Sequence, residues 1–336
     1  MTKSVDVYLV SSSLHFFWAL LLAYTHKGRE SHLVFIDQYA NNPLNFYTSI
    51  RETSAPFTSV DILTGRELSG LKKLKNRQSQ FARVRSMIAN TAIDRVFLGS
   101  DRSVIGQYFI KEAKAKNAAC LGCYLDDGVF SYLGRDASKQ RSERYIDAFF
   151  KKLSYGFWYD SPSTVGASRW IDALWVMYPE QVCKLLQPKK KVTIPLEQNA
   201  LMAIGGFAKR VLKKENLSVS QIEKLDVLIT LPNHHIFSKI PDYELAIDQL
   251  LSFLSQKKLA VGVKYHPAAG KNDFLKVQAQ GAILLPSQVS FEMILSFLRH
   301  CTIIGDMSPT ILLSNFIAAD QKVVMMKLSD DAYSQR

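Results

Sequence analysis

Short apolar runs, mostly rich in β-branched residues, alternate with longer segments of helical period along the first half of the chain. Residues 5–10, 32–36, 59–63, 95–99, 119–125 and 173–178 read as strands. Near-continuous hydrophobicity over so few positions is what strands covered on both faces require. Between them, residues 16–25, 67–89, 103–116 and 139–153 read as helices. Alternation of this kind builds a doubly wound α/β layer.

Residues 187–195 set two prolines around Lys189, Lys190 and Lys191, which reads as a domain boundary. A helical bridge over 196–215 follows, and the pattern then restarts. Strands are expected at 226–230, 260–265, 282–285, 302–305 and 322–326, with helices at 243–256, 291–298 and 310–318. The expectation is an acceptor-side domain over 1–190 and a nucleotide-binding domain over 191–336. Two Rossmann-like α/β domains facing a cleft describe the GT-B architecture.

With 336 residues, 47% hydrophobic and 21% charged, the chain suits two ordinary soluble domains. Residues 16–22 are apolar but too few to span a bilayer, and Asp6 stands where a signal peptide needs a basic start. A cytoplasmic protein is expected. The formal charge of +12 is concentrated in three places: Lys72 through Arg85, Lys189 to Lys191, and Lys209 through Lys214. Charge runs are commonly solvated helix faces. The sharper reading is contact with an anionic membrane surface at the inner face, or with an anionic glycolipid acceptor. No nucleic-acid module is present to make nucleic acid the partner. Cys120 and Cys123 form a C-x-x-C inside a strand, without a second pair, so buried reduced thiols are expected rather than zinc ligands.

Chemistry gathers where strands end. Asp126, Asp127 and Gly128 close the fifth strand. Neighbouring strand residues point to opposite sides, so one carboxylate should reach a substrate while the other orients it or caps the turn. A carboxylate there can serve as general base to an acceptor hydroxyl, and Gly128 permits a sharp turn. An Asp-Asp-Gly turn is also common as plain structure. In the second half His266 precedes Pro267, which forces extended backbone and fixes how the imidazole leaves the sheet. Ser308 and Thr310 flank Pro309 at a helix start, a ready phosphate site that is equally a plain cap. Ser11, Ser12 and Asn233 follow other strands and are candidate substrate contacts. No G-x-G-x-x-G, Walker A or Asp-x-Asp segment occurs, so no cofactor and no metal are expected.

The three motifs together resemble those of the bacterial GT-B sialyltransferases, the lipooligosaccharide sialyltransferase and capsular polysialyltransferase families. Those families share an acidic pair before glycine, a later His-Pro, and a Ser–Ser/Thr element near the carboxyl end. The matching residues here are Asp126-Asp127-Gly128, His266-Pro267, and Ser308 with Thr310; Pro309 between the two hydroxyls departs from the pattern. The resemblance implies inverting transfer of sialic acid from CMP-sialic acid to a glycan or glycolipid, which the missing Asp-x-Asp makes an expected metal-independent reaction. It implies an acid of the Asp126–Asp127 pair as base, His266 as acid or phosphate donor, and Ser308 with Thr310 on the CMP phosphate. The rival readings are transfer of Kdo or another ulosonic acid from its CMP ester, transfer of glycerol phosphate from CDP-glycerol, and a glycan-binding relative without catalysis.

Overall fold

A computed structural model describes residues 4–40, 46–53, 55–134, 141–237, 239–269, 272–317 and 321–326. The chain divides into two compact units, Met1–Ala200 and Leu201–Arg336. Each is a parallel sheet with helices, as the alternating pattern predicted.

The first unit contains strands β1 (Val5–Val10), β2 (Glu30–Gln38), β3 (Ser59–Thr64), β4 (Arg95–Leu98), β5 (Leu121–Leu125), β6 (Ala173–Val176) and β7 (Lys190–Thr193). Its helices are α1 (Ser13–Thr25), α2 (Phe46–Thr53), α3 (Gly70–Ile88), α4 (Val104–Lys116), α5 (Val129–Leu133) and α6 (Arg141–Tyr155). The strand order is β3-β2-β1-β4-β5-β6-β7, every pair parallel. The order reverses between β1 and β4, and ligands of open α/β sheets enter at such a reversal, beyond the carboxyl ends of the strands.

The apolar run at 16–22 belongs to α1, which is buried from Leu14 to Ala23. Burial of Phe16, Phe17 and Trp18 contributes about 1.5–3 kcal/mol each. At the amino end of the sheet the buried Asp6 carboxylate accepts from Arg29 Nε at 2.9 Å and Arg95 Nε at 2.8 Å. That pairing explains an acid inside a hydrophobic strand, because a buried charge needs charged partners.

The lysine tract that suggested a boundary at 187–195 is instead strand β7, the edge of the first sheet. Lys189 Nζ donates to the carbonyls of Ser168 at 2.9 Å and Ile171 at 2.6 Å, so its ammonium secures the loop before β6. The first unit runs on to Ala200.

The second unit holds helices α7 (Gln198–Lys214, which begins just before it), α8 (Val219–Glu223), α9 (His234–Phe237), α10 (Tyr243–Gln256), α11 (Phe291–Leu295) and α12 (Pro309–Ile317). Its strands are β8 (Val227–Thr230), β9 (Val261–Lys264), β10 (Ile283–Leu285), β11 (Thr302–Gly305) and β12 (Lys322–Met325). They lie parallel in the order β10-β9-β8-β11-β12, reversing between β8 and β11. Ile247, Leu251 and Leu254 of α10 are buried at helical spacing, which is how this helix covers its sheet.

No helix among the described residues is long and apolar enough to cross a membrane. The four cysteines are free thiols, and burial pushes Cys120, Cys123 and Cys301 up to about 12.

Candidate active site

The acidic pair divides its work. Asp126 is fully buried, and its carboxylate accepts from Gly128 N at 2.7 Å, Ser131 Oγ at 2.9 Å, Met177 N at 2.8 Å and the Tyr132 hydroxyl. Burial pushes its carboxyl up to about 6 against the pull of these donors. Asp126 therefore holds the turn and the start of the segment after β6. Gly128 sits at φ 68°, a left-handed conformation that only glycine adopts without strain. Of the two carboxylates proposed as base, only Asp127 is open to solvent, at 18%.

Asp127 has a partner that motif reasoning missed. His15, 2% exposed, brings Nε2 to 3.0 Å from Asp127 Oδ1. A carboxylate only accepts, so Nε2 carries a proton. In the neutral ring Nδ1 then accepts from the Ser11 hydroxyl, 3.3 Å away. Among the described residues, Asp127 Oδ2 accepts no hydrogen bond, which leaves one oxygen for a substrate.

The backbone explains how the imidazole reaches that place. Ser12 is the N-cap of α1, its hydroxyl accepting from His15 N at 3.3 Å. Ser12 thus caps the helix with its hydroxyl proton left to donate, while the Ser11 hydroxyl touches the histidine. The ring lies against Gly99, just past β4, where an added Cβ would come within 2.2 Å of it. Trp18, one turn beyond His15, donates from its indole to the Asp126 carbonyl at 3.2 Å. Ser11, His15, Gly99 and Asp127 thus meet at the carboxyl ends of β1, β4 and β5, around the reversal in strand order. The signal existed in sequence: a serine cap directly after the first strand puts the side chain three residues on into the first helical turn.

In the second unit the remaining motifs also stand at carboxyl ends. Ser308 caps α12, its oxygen accepting from Ile311 N at 3.4 Å, with Pro309 as the first helical residue. That bond spends an acceptor and leaves the hydroxyl proton to donate. Thr310 Oγ1 has no hydrogen-bond partner among the described residues. Below them Asp306 is buried and accepts from the Tyr243 hydroxyl at 2.8 Å.

His266 follows β9 at the surface, and Pro267 opens a short 3-10 turn after it. Desolvation and then the nearby Lys264 ammonium lower the His266 pKa below the ordinary imidazole value. Lys264 is itself buried, with Nζ 3.3 Å from the Pro286 carbonyl and 3.2 Å from that of Ser287. Burial lowers its pKa to about 8, partly offset by Glu292. Asn233, a candidate contact, accepts on Oδ1 from His235 N at 3.1 Å, which leaves its side-chain NH2 to donate. His234 stacks on Phe274 with ring centres 4.6 Å apart, a packing role.

Among the described residues no cluster of His, Cys, Asp or Glu is arranged to hold a metal ion. The two units, each a parallel sheet with Rossmann-like strand order, define an α/β protein of GT-B type.

No protein-family model and no curated protein sequence matches the chain. Solved structures do resemble it. The UDP-GlcNAc 2-epimerase of Methanocaldococcus jannaschii aligns over 96% of this chain and 89% of its own, at 8% identity and a TM-score of 0.52. A putative UDP-N-acetylglucosamine 2-epimerase from Listeria monocytogenes aligns over 92% and 76%, at 11% identity and 0.51. Another UDP-N-acetylglucosamine 2-epimerase aligns over 93% and 76%, at 13% identity and 0.50. At such identities the likeness establishes the fold alone.

Proposed function

We propose that the protein is an inverting glycosyltransferase that moves sialic acid from CMP-sialic acid to a glycan or glycolipid acceptor without a metal. The observation that carries this reading is the Asp127 carboxylate, gripped on one oxygen by buried His15 and open on the other. A base so held is oriented before substrate arrives, and orientation is much of what a catalytic group contributes.

In this reading the unit Met1–Ala200 takes the acceptor and the unit Leu201–Arg336 takes the nucleotide. The acceptor hydroxyl gives its proton to Asp127 Oδ2. Its oxygen bonds to the anomeric carbon while the bond from that carbon to the phosphate oxygen breaks. The bonding pair leaves with CMP, and the anomeric centre inverts. His15 keeps the carboxylate from swinging away as it takes the proton. The carboxylate also favours the cationic character that sugar carbons develop in such transfers.

Departure of CMP needs hydrogen-bond donors. The hydroxyls of Ser308 and Thr310 and the Thr310 amide are suited to a phosphate; Pro309 has no N–H, and those of Ile311 and Leu312 donate to Ser308. With its pKa lowered, His266 is neutral at pH 7 and donates a hydrogen bond rather than a proton. Pro267 fixes the backbone that presents it.

The test is release of CMP from CMP-sialic acid in the presence of a glycan acceptor panel, beside CMP-Kdo and CDP-glycerol. Release from CMP-sialic acid that Asp127→Asn abolishes supports the reading, while preference for another donor moves the assignment to that donor. Release from none would remove the enzyme assignment.

A further inference from the structure

Helix α6 wears its large apolar side chains on the outside. Ile146, Phe149, Phe150 and Leu153 recur at intervals of three and four, and Phe157 follows the helix; all five are between 56% and 80% exposed. A stripe with that spacing normally faces a core. An exposed one marks a surface that something else covers.

Charge next to the stripe indicates what. A pocket of about 290 Å³ opens beside it, and Phe150 and Lys151 of α6 belong to its wall. The rest of the wall includes Lys73, Arg77 and Arg102 with a single carboxylate, Asp37. That carboxylate is already engaged, by Arg77 at 2.6 Å and by the Ser103 hydroxyl at 2.5 Å. Arg77 is buried, and its Nε has no hydrogen-bond partner among the described residues. Ser103 is also the N-cap of α4, so the positive end of that helix lies at the pocket.

We propose that α6 seats the protein on an anionic bilayer. Phe149, Phe150, Leu153 and Phe157 enter the boundary between headgroups and acyl chains, and the pocket with Lys73 and Lys151 takes a lipid phosphate. Apolar side chains beside a cationic pocket match an anionic lipid in both its parts. A second copy of this chain fits worse, because it would bring the same cations, in a molecule of formal charge +12, against them. The inference is independent of which sugar the site transfers.

Flotation of the full chain with phosphatidylcholine vesicles, with and without phosphatidylglycerol, tests it. Binding is expected to the anionic vesicles and to weaken with salt. It should fall about tenfold or more in Phe149→Glu/Leu153→Glu and in Lys73→Glu/Lys151→Glu, as expected for lost insertion and lost charge. Phe157→Ser, beyond the helix, supplies an apolar variant that leaves α6 intact and should weaken binding in the same direction. Absence of binding to anionic vesicles, equal binding to neutral ones, or equal binding by folded variants would overturn the proposal. So would self-association of the free chain that Phe157→Ser abolishes, since the face would then belong to a second copy. Donor hydrolysis is a separate readout, so failure here and failure of the sugar-transfer reading are distinguishable.

Discussion

His15 Nε2 lies 3.0 Å from Asp127 Oδ1 across 112 residues of sequence. The contact joins the helix after β1 to the turn after β5, over the strand that lies between them in the sheet. Asp127→Asn keeps the shape and removes the base, so sugar transfer, read as CMP release, should fall by about 10²–10⁴ with the melting temperature nearly unchanged. His15→Gln should lower kcat about tenfold or more while the donor KM holds, because it acts by orienting the carboxylate. Steady-state kinetics on both variants, with thermal melts, checks each outcome. Equal activity in Asp127→Asn would end its role as base.

Gly99→Ala probes the same contact without touching either partner. A Cβ there would lie about 2.2 Å from the imidazole, so the ring must leave its place. The expected result is kcat lowered as in His15→Gln, together with about 1–3 kcal/mol of lost stability from overpacking. Wild-type kcat in a folded Gly99→Ala chain would show that the ring position does not matter.

Asp126 should behave differently from its neighbour. Asp126→Asn turns an acceptor of four donors into a half-donor, leaving buried groups without partners at a cost of about 1–3 kcal/mol. There is also a pH signature. The folded carboxyl titrates at about 6 against an ordinary 3.8, so its contribution to stability is full below 3.8 and is lost as pH rises through about 6. The loss is on the order of 3 kcal/mol. Denaturant titrations across that window should show wild type losing stability relative to Asp126→Asn; parallel curves would refute the assignment.

Lys264 gives the opposite slope. Its folded pKa of about 8 lies below the ordinary 10.5, so the folded chain releases its proton first and gains stability as pH rises between the two. In Lys264→Met that increment should vanish, while the carbonyls of Pro286 and Ser287 lose their donor. The measurement is the difference in unfolding free energy between the two chains at pH 7 and at pH 10.

The phosphate site is tested by Ser308→Ala and His266→Ala. Each should weaken CMP binding in calorimetry and lower transfer about 10²-fold, the scale of one lost donor to developing charge. Transfer should persist in excess EDTA. Strict metal dependence would argue against a site built from helix-end donors.

Much of the fold was legible because buried strands and long amphipathic helices advertise themselves. The strands at 5–10 and 302–305 and the helix at 243–256 emerge with their expected bounds. Helices α2, α5, α8 and α9 did not, since four to eight residues are too few for a period to show. Strand β7 was hidden by its lysines, because an edge strand with ammonium groups looks like a linker. The site was legible in part. Asp127 and Gly128 stand out as a motif, but one sequence cannot say which acid of a pair will be saturated by Ser131, Tyr132 and Met177. His15 escaped because its partner is distant in sequence and the space it occupies is created by a missing side chain at Gly99.

β7 also bears on solubility. An open strand border offers unpaired backbone groups on which another chain can continue the sheet. At β7 that border carries Lys190 and Lys191, so an approaching copy would present ammonium to ammonium. Two residues that look like punctuation in the sequence thereby keep neighbouring molecules from zipping together, and raising the salt would take that guard away.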